Sequence, residues 1–211
     1  IKFPKLAAVV LAVPASLIAQ EILKVANFSA EALSGWQTQS FAGETYYRLT
    51  PLNGQIVLKA EAKASASGLW REIRIDLGRT PYLNWCWQVI EPLSPLPETT
   101  KAGDDYAARI YLIKQGGLAF WKTKALNYVW SSSQTLKTLW PNAFAGRNVM
   151  MLAVRTGDNR WQCEKRNVRA DWRRAFGEEP DRIDALALMT DSDNSQQRTA
   201  AYYGDIWFSS D

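Results

Sequence analysis

The sequence predicts an all-β fold, a two-sheet antiparallel β-sandwich with one short helix, and three features carry that expectation. Apolar runs of strand length recur along the chain between clusters of Gly, Pro, Asn and Asp, the residues that form turns. The run 82–89 alternates: Leu83, Trp85, Trp87 and Val89 share one face and Asn84, Cys86 and Gln88 the other, as on a half-buried strand. Near the C-terminus two further runs, 183–190 and 200–208, flank a loop dense in Asp, Asn, Ser and Gln, the pattern of a β-hairpin that closes a sandwich.

With 211 residues and 47% hydrophobic content the chain can bury one substantial core, and no composition shift or long linker divides it. Residues 1–19 read as a signal peptide. Lys2 and Lys5 supply a basic start, 6–13 an apolar run too short to span a bilayer, and Ala19 a small residue before the cleavage point. A buried N-terminal helix is the alternative for the same run. The mature sandwich domain is then expected at 20–211, periplasmic or secreted, with no membrane span after cleavage. In that compartment Cys86 and Cys163 can form one disulfide, although two cysteines is also a number that chance supplies.

Taken in order, 22–28 predicts a first strand, Ser34-Gly35-Trp36 a turn and 46–49 a second strand. Asn53-Gly54 is a local reversal signal. Strands follow at 55–60 and 69–77, then at 82–89 and, after a proline-rich loop at 92–97, at 106–113. Alternation there points Tyr106, Ala108, Ile110 and Leu112 inward and leaves Asp105, Ala107, Arg109 and Tyr111 on the other face. The stretch 116–146 is less regular, with a short strand at 127–130 and Trp140-Pro141 in a loop. Strand 149–155 and turn 157–159 lead to 161–166, its expected antiparallel partner. Asn167 suits a helix N-cap and Gly177 a left-handed C-terminal position, so 168–176 is the one helix expected in the mature domain.

The net charge is only +4, and the arginines at 166, 169, 173 and 174 are interleaved with Asp171, Glu178, Glu179 and Asp181, so no basic face for nucleic acid is predicted. Histidine is absent, which excludes Ser-His-Asp and Cys-His catalysis and imidazole-bound zinc. Chemistry is left to carboxylates, Tyr, Lys and Arg. Asp105, Arg109, Glu164 and Arg166 share a sheet face if strands 106–113 and 161–166 lie in one sheet, and Asp191 and Asp193 are expected to converge with them. Arginine forks and carboxylates suit the hydroxyls of sugars and sugar acids. An ion-pair ladder without a ligand accounts for the same residues equally well. In the ligand-binding reading, Arg109→Ala weakens binding while folding survives.

Most of the ten tryptophans belong to the core, whereas Trp161, with Trp121 and Trp140, lies near a loop where an indole can stack on a sugar ring. Paired acids such as Asp104 with Asp105, or Asp191 with Asp193, serve glycoside hydrolysis only when two carboxyls stand apart across a cleft. Sequence neighbours point to opposite faces or share a turn, which favours binding over catalysis.

Trp85-Cys86-Trp87, Gly103-Asp104-Asp105-Tyr106-Ala107-Ala108-Arg109-Ile110-Tyr111, Arg166-Asn167-Val168, Ala175-Phe176-Gly177, Met189-Thr190-Asp191-Ser192-Asp193-Asn194 and Tyr202-Tyr203-Gly204-Asp205-Ile206 occur together in this order. The set resembles the bacterial family catalogued as domain of unknown function 3047. That resemblance implies a galactose-binding-type jelly roll, the architecture of many carbohydrate-binding modules, and no established activity. A glycan or polyol ligand is therefore expected, with a glycan-acting envelope enzyme and a structural or protein-binding domain as the other readings. Asp191-Ser192-Asp193-Asn194 begins like a calcium loop, but Gln196 and Tyr202 stand where an EF-hand needs Gly and Glu. A structural calcium of the kind many jelly rolls carry is instead expected on Asp205 with oxygens near Asn27. Side chains that cap a tight turn account for the Asp and Asn residues as well.

Overall fold

The computed structural model describes residues 20–157 and 159–211, so the signal peptide expected at 1–19 lies outside the described residues. In chain order the strands are β1 (Ile22–Ala26), β2 (Gln37–Ala42), β3 (Tyr46–Leu52), β4 (Gln55–Lys63), β5 (Ala66–Asp76), β6 (Tyr82–Glu91), β7 (Ala108–Lys114), β8 (Lys124–Ser131), β9 (Leu139–Asn142), β10 (Gly146–Thr156) and β11 (Gln162–Asn167), then helix α1 (Val168–Phe176), β12 (Arg182–Asp191) and β13 (Arg198–Ser209). They form two facing sheets. One has six strands in the order β11-β6-β13-β4-β3, with β1 also on β13; the other has seven, β2-β5-β12-β7-β8-β10-β9. All pairings are antiparallel except β8 with β10, which run parallel.

Local chemistry explains the best-predicted elements. Asn53 and Gly54 both take positive φ, 50° and 83°, as the two-residue turn between β3 and β4 requires. Asn167 Oδ1 accepts the Ala170 N–H at 3.0 Å at the start of α1, and Gly177 ends it at φ 73° with its N–H on the Arg173 carbonyl. On β6, Leu83, Trp85, Trp87 and Val89 are all buried. Trp85 stacks on Tyr128 of the opposite sheet at 5.3 Å between centroids, and Trp87 meets Trp130 edge-on at 5.7 Å. These aromatic pairs fill the space between the sheets, where such contacts add to the stabilisation from area burial.

Two pairing expectations fail for one physical reason: alternation identifies a strand and its faces, and says nothing of its partner. The runs expected to form a closing hairpin lie in different sheets, β12 in the middle of the seven-stranded one and β13 in the middle of the six-stranded one. Residues 192–197 therefore arch across the sandwich. Likewise β11 pairs with β6 rather than with β10, the chain changing sheets between Thr156 and Gln162. Residues 37–42, assigned no element after the turn at 34–36, and 139–142, where Trp140-Pro141 was expected in a loop, are the edge strands β2 and β9. Their short length and, on β2, largely exposed polar residues hide the period-two signal.

Cys86 and Cys163 stand directly opposite each other in the β6–β11 register and are joined by a disulfide. The bond ties an edge strand to a central one across 77 residues of chain. A Cys86→Ser/Cys163→Ser double variant is expected to lose about 2–5 kcal/mol of stability through the freer unfolded chain. Urea unfolding of the two proteins measures this, and equal midpoints would show that the cross-link adds nothing.

Candidate functional site

A second apolar cluster, Tyr106, Val129, Trp140, Met151 and Ala153, packs on the face of the seven-stranded sheet away from the main core. Trp140 is thus a buried packing residue whose indole N–H reaches the Glu98 carbonyl at 3.2 Å, and it offers no stacking surface. Tyr106, expected to point inward, belongs to this outer cluster, while Ala107 packs with the main core. The regular alternation begins only at Ala108, where β7 starts.

Beside the cluster, register places a charge in an apolar face. Arg109 on β7 lies opposite Met189 on β12, so Asp191, two residues on, shares its face on the diagonal. Arg109 Nη2 donates to Asp191 Oδ2 at 2.6 Å, with side-chain exposures of 5% and 1%. The guanidinium lies between the Tyr106 and Tyr111 rings, 5.1 Å from each centroid, and also meets the Met189 sulfur at 3.1 Å. Asp191 Oδ1 accepts the Tyr106 N–H at 3.2 Å.

The last β7–β12 rung is built around a residue from the other sheet. The Tyr203 hydroxyl of β13 accepts the Arg109 N–H at 3.3 Å and donates to the Met189 carbonyl at 2.8 Å. Thr190 Oγ1, 2.9 Å from that hydroxyl, donates to the Ala107 carbonyl at 2.9 Å. These bonds satisfy backbone groups where the strands part.

Asp105 joins Asp191 and Asp193 in the one place, among the described residues, where three carboxylates gather, with oxygens within 4.8 Å of one another. Asp105 Oδ1 accepts from the N–H and side-chain amide of Asn194 at 3.2 and 3.1 Å, and Oδ2 from the Ser195 N–H at 2.6 Å. Hard oxygens of this kind suit calcium. Here, however, Asp191 already pairs with Arg109 and both Asp105 oxygens cap the arch, so turn capping accounts for the cluster. Asp104 is held by the Asn142 amide, 2.9 Å from both its oxygens, and by the Tyr106 hydroxyl at 3.3 Å.

These groups line a groove of about 390 Å³, with Asp104, Arg109, Asn142, Asp191, Asp193 and Asn194 on its polar side and Phe41, Tyr111, Phe144, Val149 and Met189 on its apolar side. An apolar cavity of about 250 Å³, bounded in part by Trp70 and Ile113, shares Phe41, Tyr111 and Met189 with it.

Burial pushes the Asp191 carboxyl up to about 8, with Asp105 adding to the push and Arg109 opposing it. Burial raises Asp104 and Asp193 as well. For Arg109 burial acts against the charge, but Asp191, Tyr111 and Asp104 outweigh it and keep the group protonated.

The other expected site residues lie elsewhere. Arg166 pairs opposite Leu83 on β6, which in turn faces Phe208 of β13, whereas the arch joins β13 near Arg198. Eight residues separate Ala200 from Phe208, so Arg166 sits roughly 25 Å along the strands from the arch. Its partner is Asp171 of α1, at 2.5 and 2.9 Å, which also accepts the Tyr128 hydroxyl. The single site spanning Arg109 and Arg166 is therefore wrong: they are on opposite sheets with separate acids. Glu164 pairs with Arg155 of β10. Trp161 lies over Gly204, where an added Cβ would meet its indole at 3.0 Å. Asp205 accepts from the Ser29 N–H and hydroxyl at 2.9 and 2.5 Å, and the Asn27 carbonyl accepts from Ala30 and Ala32. Phe41, Asn142, Phe144 and Met189 were missed, because they reach the groove only through pairing of β2, β9 and β12; Asn142, beside Trp140 and Pro141, carried the nearest thing to a local signal.

A family profile described as protein of unknown function (DUF3047) matches residues 34–207, and the chain belongs to that family. No curated protein matches it. Among solved structures, the family 30 carbohydrate-binding module of the cellulosomal cellulase Cel9D-Cel44B of Clostridium thermocellum is similar with a TM-score of 0.54 at 11% identity, over 89% of this chain and 96% of that one. The family 11 module of Lic26A-Cel5E from the same organism gives 0.48 at 8%, over 89% and 95%. At 11% identity the likeness to the family 30 module speaks to the fold alone, the jelly-roll sandwich that the sequence resemblance implied.

Arg109 is too deeply buried for its loss to leave folding intact, contrary to the expectation from sequence. Above about pH 8, where Asp191 is ionised, Arg109→Ala strands its charge and is expected to cost about 3–5 kcal/mol in urea unfolding, with part of the loss recovered when Asp191→Asn is added. If Arg109→Ala unfolds at the wild-type midpoint, the pair is not the anchor described here.

The raised Asp191 pKa also sets a pH dependence. A group with a raised folded-state pKa stabilises most below its unfolded value of about 3.9, and that contribution is lost as pH rises through about 8. Unfolding free energies measured across this window should fall with pH, and Asp191→Asn should flatten the fall. Parallel profiles for the two proteins would mean that Asp191 does not titrate there.

Proposed function

We propose that this domain is a secreted or periplasmic module that binds a carbohydrate or related polyol in the groove on the seven-stranded sheet, without cleaving it. The observation that carries this reading is the groove's mixed lining. Sugars present hydroxyls on their edges and apolar C–H on their faces, and the groove offers both kinds of partner. Asp193, Asn194, Asp104 and Asn142 supply polar atoms, while Phe41 and Phe144, 69% and 57% exposed, supply ring faces that nothing in the fold requires to be in water. Arg109 Nε, buried beside the groove, has no hydrogen-bond partner within the fold.

The jelly-roll architecture fits this reading, since the similar family 30 domain is a carbohydrate-binding module. The disulfide suits an oxidising compartment. Catalysis is disfavoured by spacing: the oxygens of Asp105, Asp191 and Asp193 lie within 4.8 Å of one another, tighter than the roughly 5–9.5 Å that glycosidase acid pairs keep.

A glycan array followed by analysis of the recovered ligands tests both parts. Binding of an intact glycan is expected, weakened about fivefold to tenfold by Phe41→Ala through loss of ring stacking. Shortened glycans in the eluate would refute the non-catalytic reading, and silence across the array would favour a protein-binding role.

A further inference from the structure

The groove is unevenly charged. Asp104, Asp191 and Asp193 line it and Asp105 lies directly behind, and the cation within hydrogen-bond reach of these acids is Arg109, already paired with Asp191. Its guanidinium is further shielded by the Tyr106 and Tyr111 rings. The next cation at the rim, Lys101, sits 5.2 Å from the centroid of Phe144. Asp191 is paired with Arg109, both Asp105 oxygens cap the arch and Asp104 is held by Asn142 and Tyr106, so the acid with acceptor capacity left for a ligand is Asp193. Each carboxylate has about four acceptor positions, and Asp193, half-buried at the groove, uses one oxygen for the Asn194 amide.

An incoming carboxylate would meet the like charge of Asp193, and a neutral sugar would leave that charge unpaired. An ammonium group would meet acceptors needing donors, with exposed Phe41 and Phe144 presenting the electron-rich ring faces that attract cations. That Phe144 already holds an ammonium over its face shows the geometry is accessible. We propose that the groove prefers a glycan or polyol bearing a protonated amine to its neutral, N-acylated or acidic counterparts. This deepens the carbohydrate-binding reading and rests on it.

The test compares three probes of one linkage and length: β-1,4-linked oligomers of glucosamine, of N-acetylglucosamine and of glucose, titrated calorimetrically into the full domain at a mildly acidic pH where the glucosamine amines are protonated. The glucosamine oligomer is expected to bind about tenfold more tightly than the other two, as a charge-assisted hydrogen bond provides. That ratio should shrink with added salt and in Asp193→Asn, a variant of the same shape whose folding is checked by thermal unfolding. Equal or tighter binding of the acetylated or glucose oligomer would overturn the amine preference and leave the carbohydrate reading standing. Binding of none of the three would overturn the amine preference, while the glycan array decides the carbohydrate reading separately. A preference that persists undiminished in folded Asp193→Asn would place the amine outside this groove and overturn the assignment.

Discussion

A charged guanidinium inside an otherwise apolar sheet face is the constraint around which this end of the sandwich is built. Burying an unpaired arginine costs several kcal/mol, and Arg109 occurs on a strand flanked by Ala108 and Ile110. The fold offsets that cost from several directions. Register brings Asp191 to it, rings from Tyr106 and Tyr111 cover it, and the Tyr203 hydroxyl accepts its backbone N–H. Because Tyr203 comes from the opposite sheet, the pairing of β7 with β12 is coupled to the packing of the two sheets. Moving either sheet would strand a buried charge, so the acids at the arch inherit their positions from the core.

The same constraint explains why the acids crowd there. Residues 192–197 carry the chain from one sheet to the other over the open end of the sandwich, and their backbone N–H groups need acceptors. Asp105 supplies them from the segment leading into β7. Once Asp191 is bound to Arg109, Asp105 to the arch and Asp104 to Asn142, Asp193 borders the groove as the least committed of the four acids. The two readings weighed from sequence, ion-pair ladder or ligand site, divide between residues: Asp191 with Arg109 is the ladder, and Asp193 faces the groove.

How much could be read in advance follows from the range of each signal. Strand β6, the Asn53-Gly54 turn and helix α1 are written in nearest-neighbour chemistry: alternation, positive φ, and caps at Asn167 and Gly177. Those were legible. The convergence of Asp105, Arg109, Asp191 and Asp193 was also legible, since Arg109 needed a buried partner and nearby sequence offered too few. Arg166 was misassigned because its acid was in fact local: Asp171 lies five residues on, one turn into α1. Reading the helix charges as solvated ion pairs concealed that one of them is buried against Tyr128. The groove's apolar side was invisible for the opposite reason. Phe41 and Phe144 sit in segments without alternation, and only the pairing of edge strands β2 and β9 brings them to the same face.

The two sheets also divide the fold's demands. The six-stranded sheet carries the disulfide, the Trp85 and Trp87 face and, on its edge strand β11, the Arg166 pair with α1; each of these stabilises and none borders the groove. The seven-stranded sheet has two packed faces for part of its area, the main core on one side and the Tyr106–Trp140 cluster on the other. Where that second cluster ends, the sheet face is left to Arg109, Tyr111 and Met189, and the groove begins. The groove arises here because the outer cluster covers only part of the sheet. Its walls are set by rigid strands, while the rim residues Phe41, Phe144 and Asp193 stand at strand ends and turns, where side chains can vary with little effect on the core.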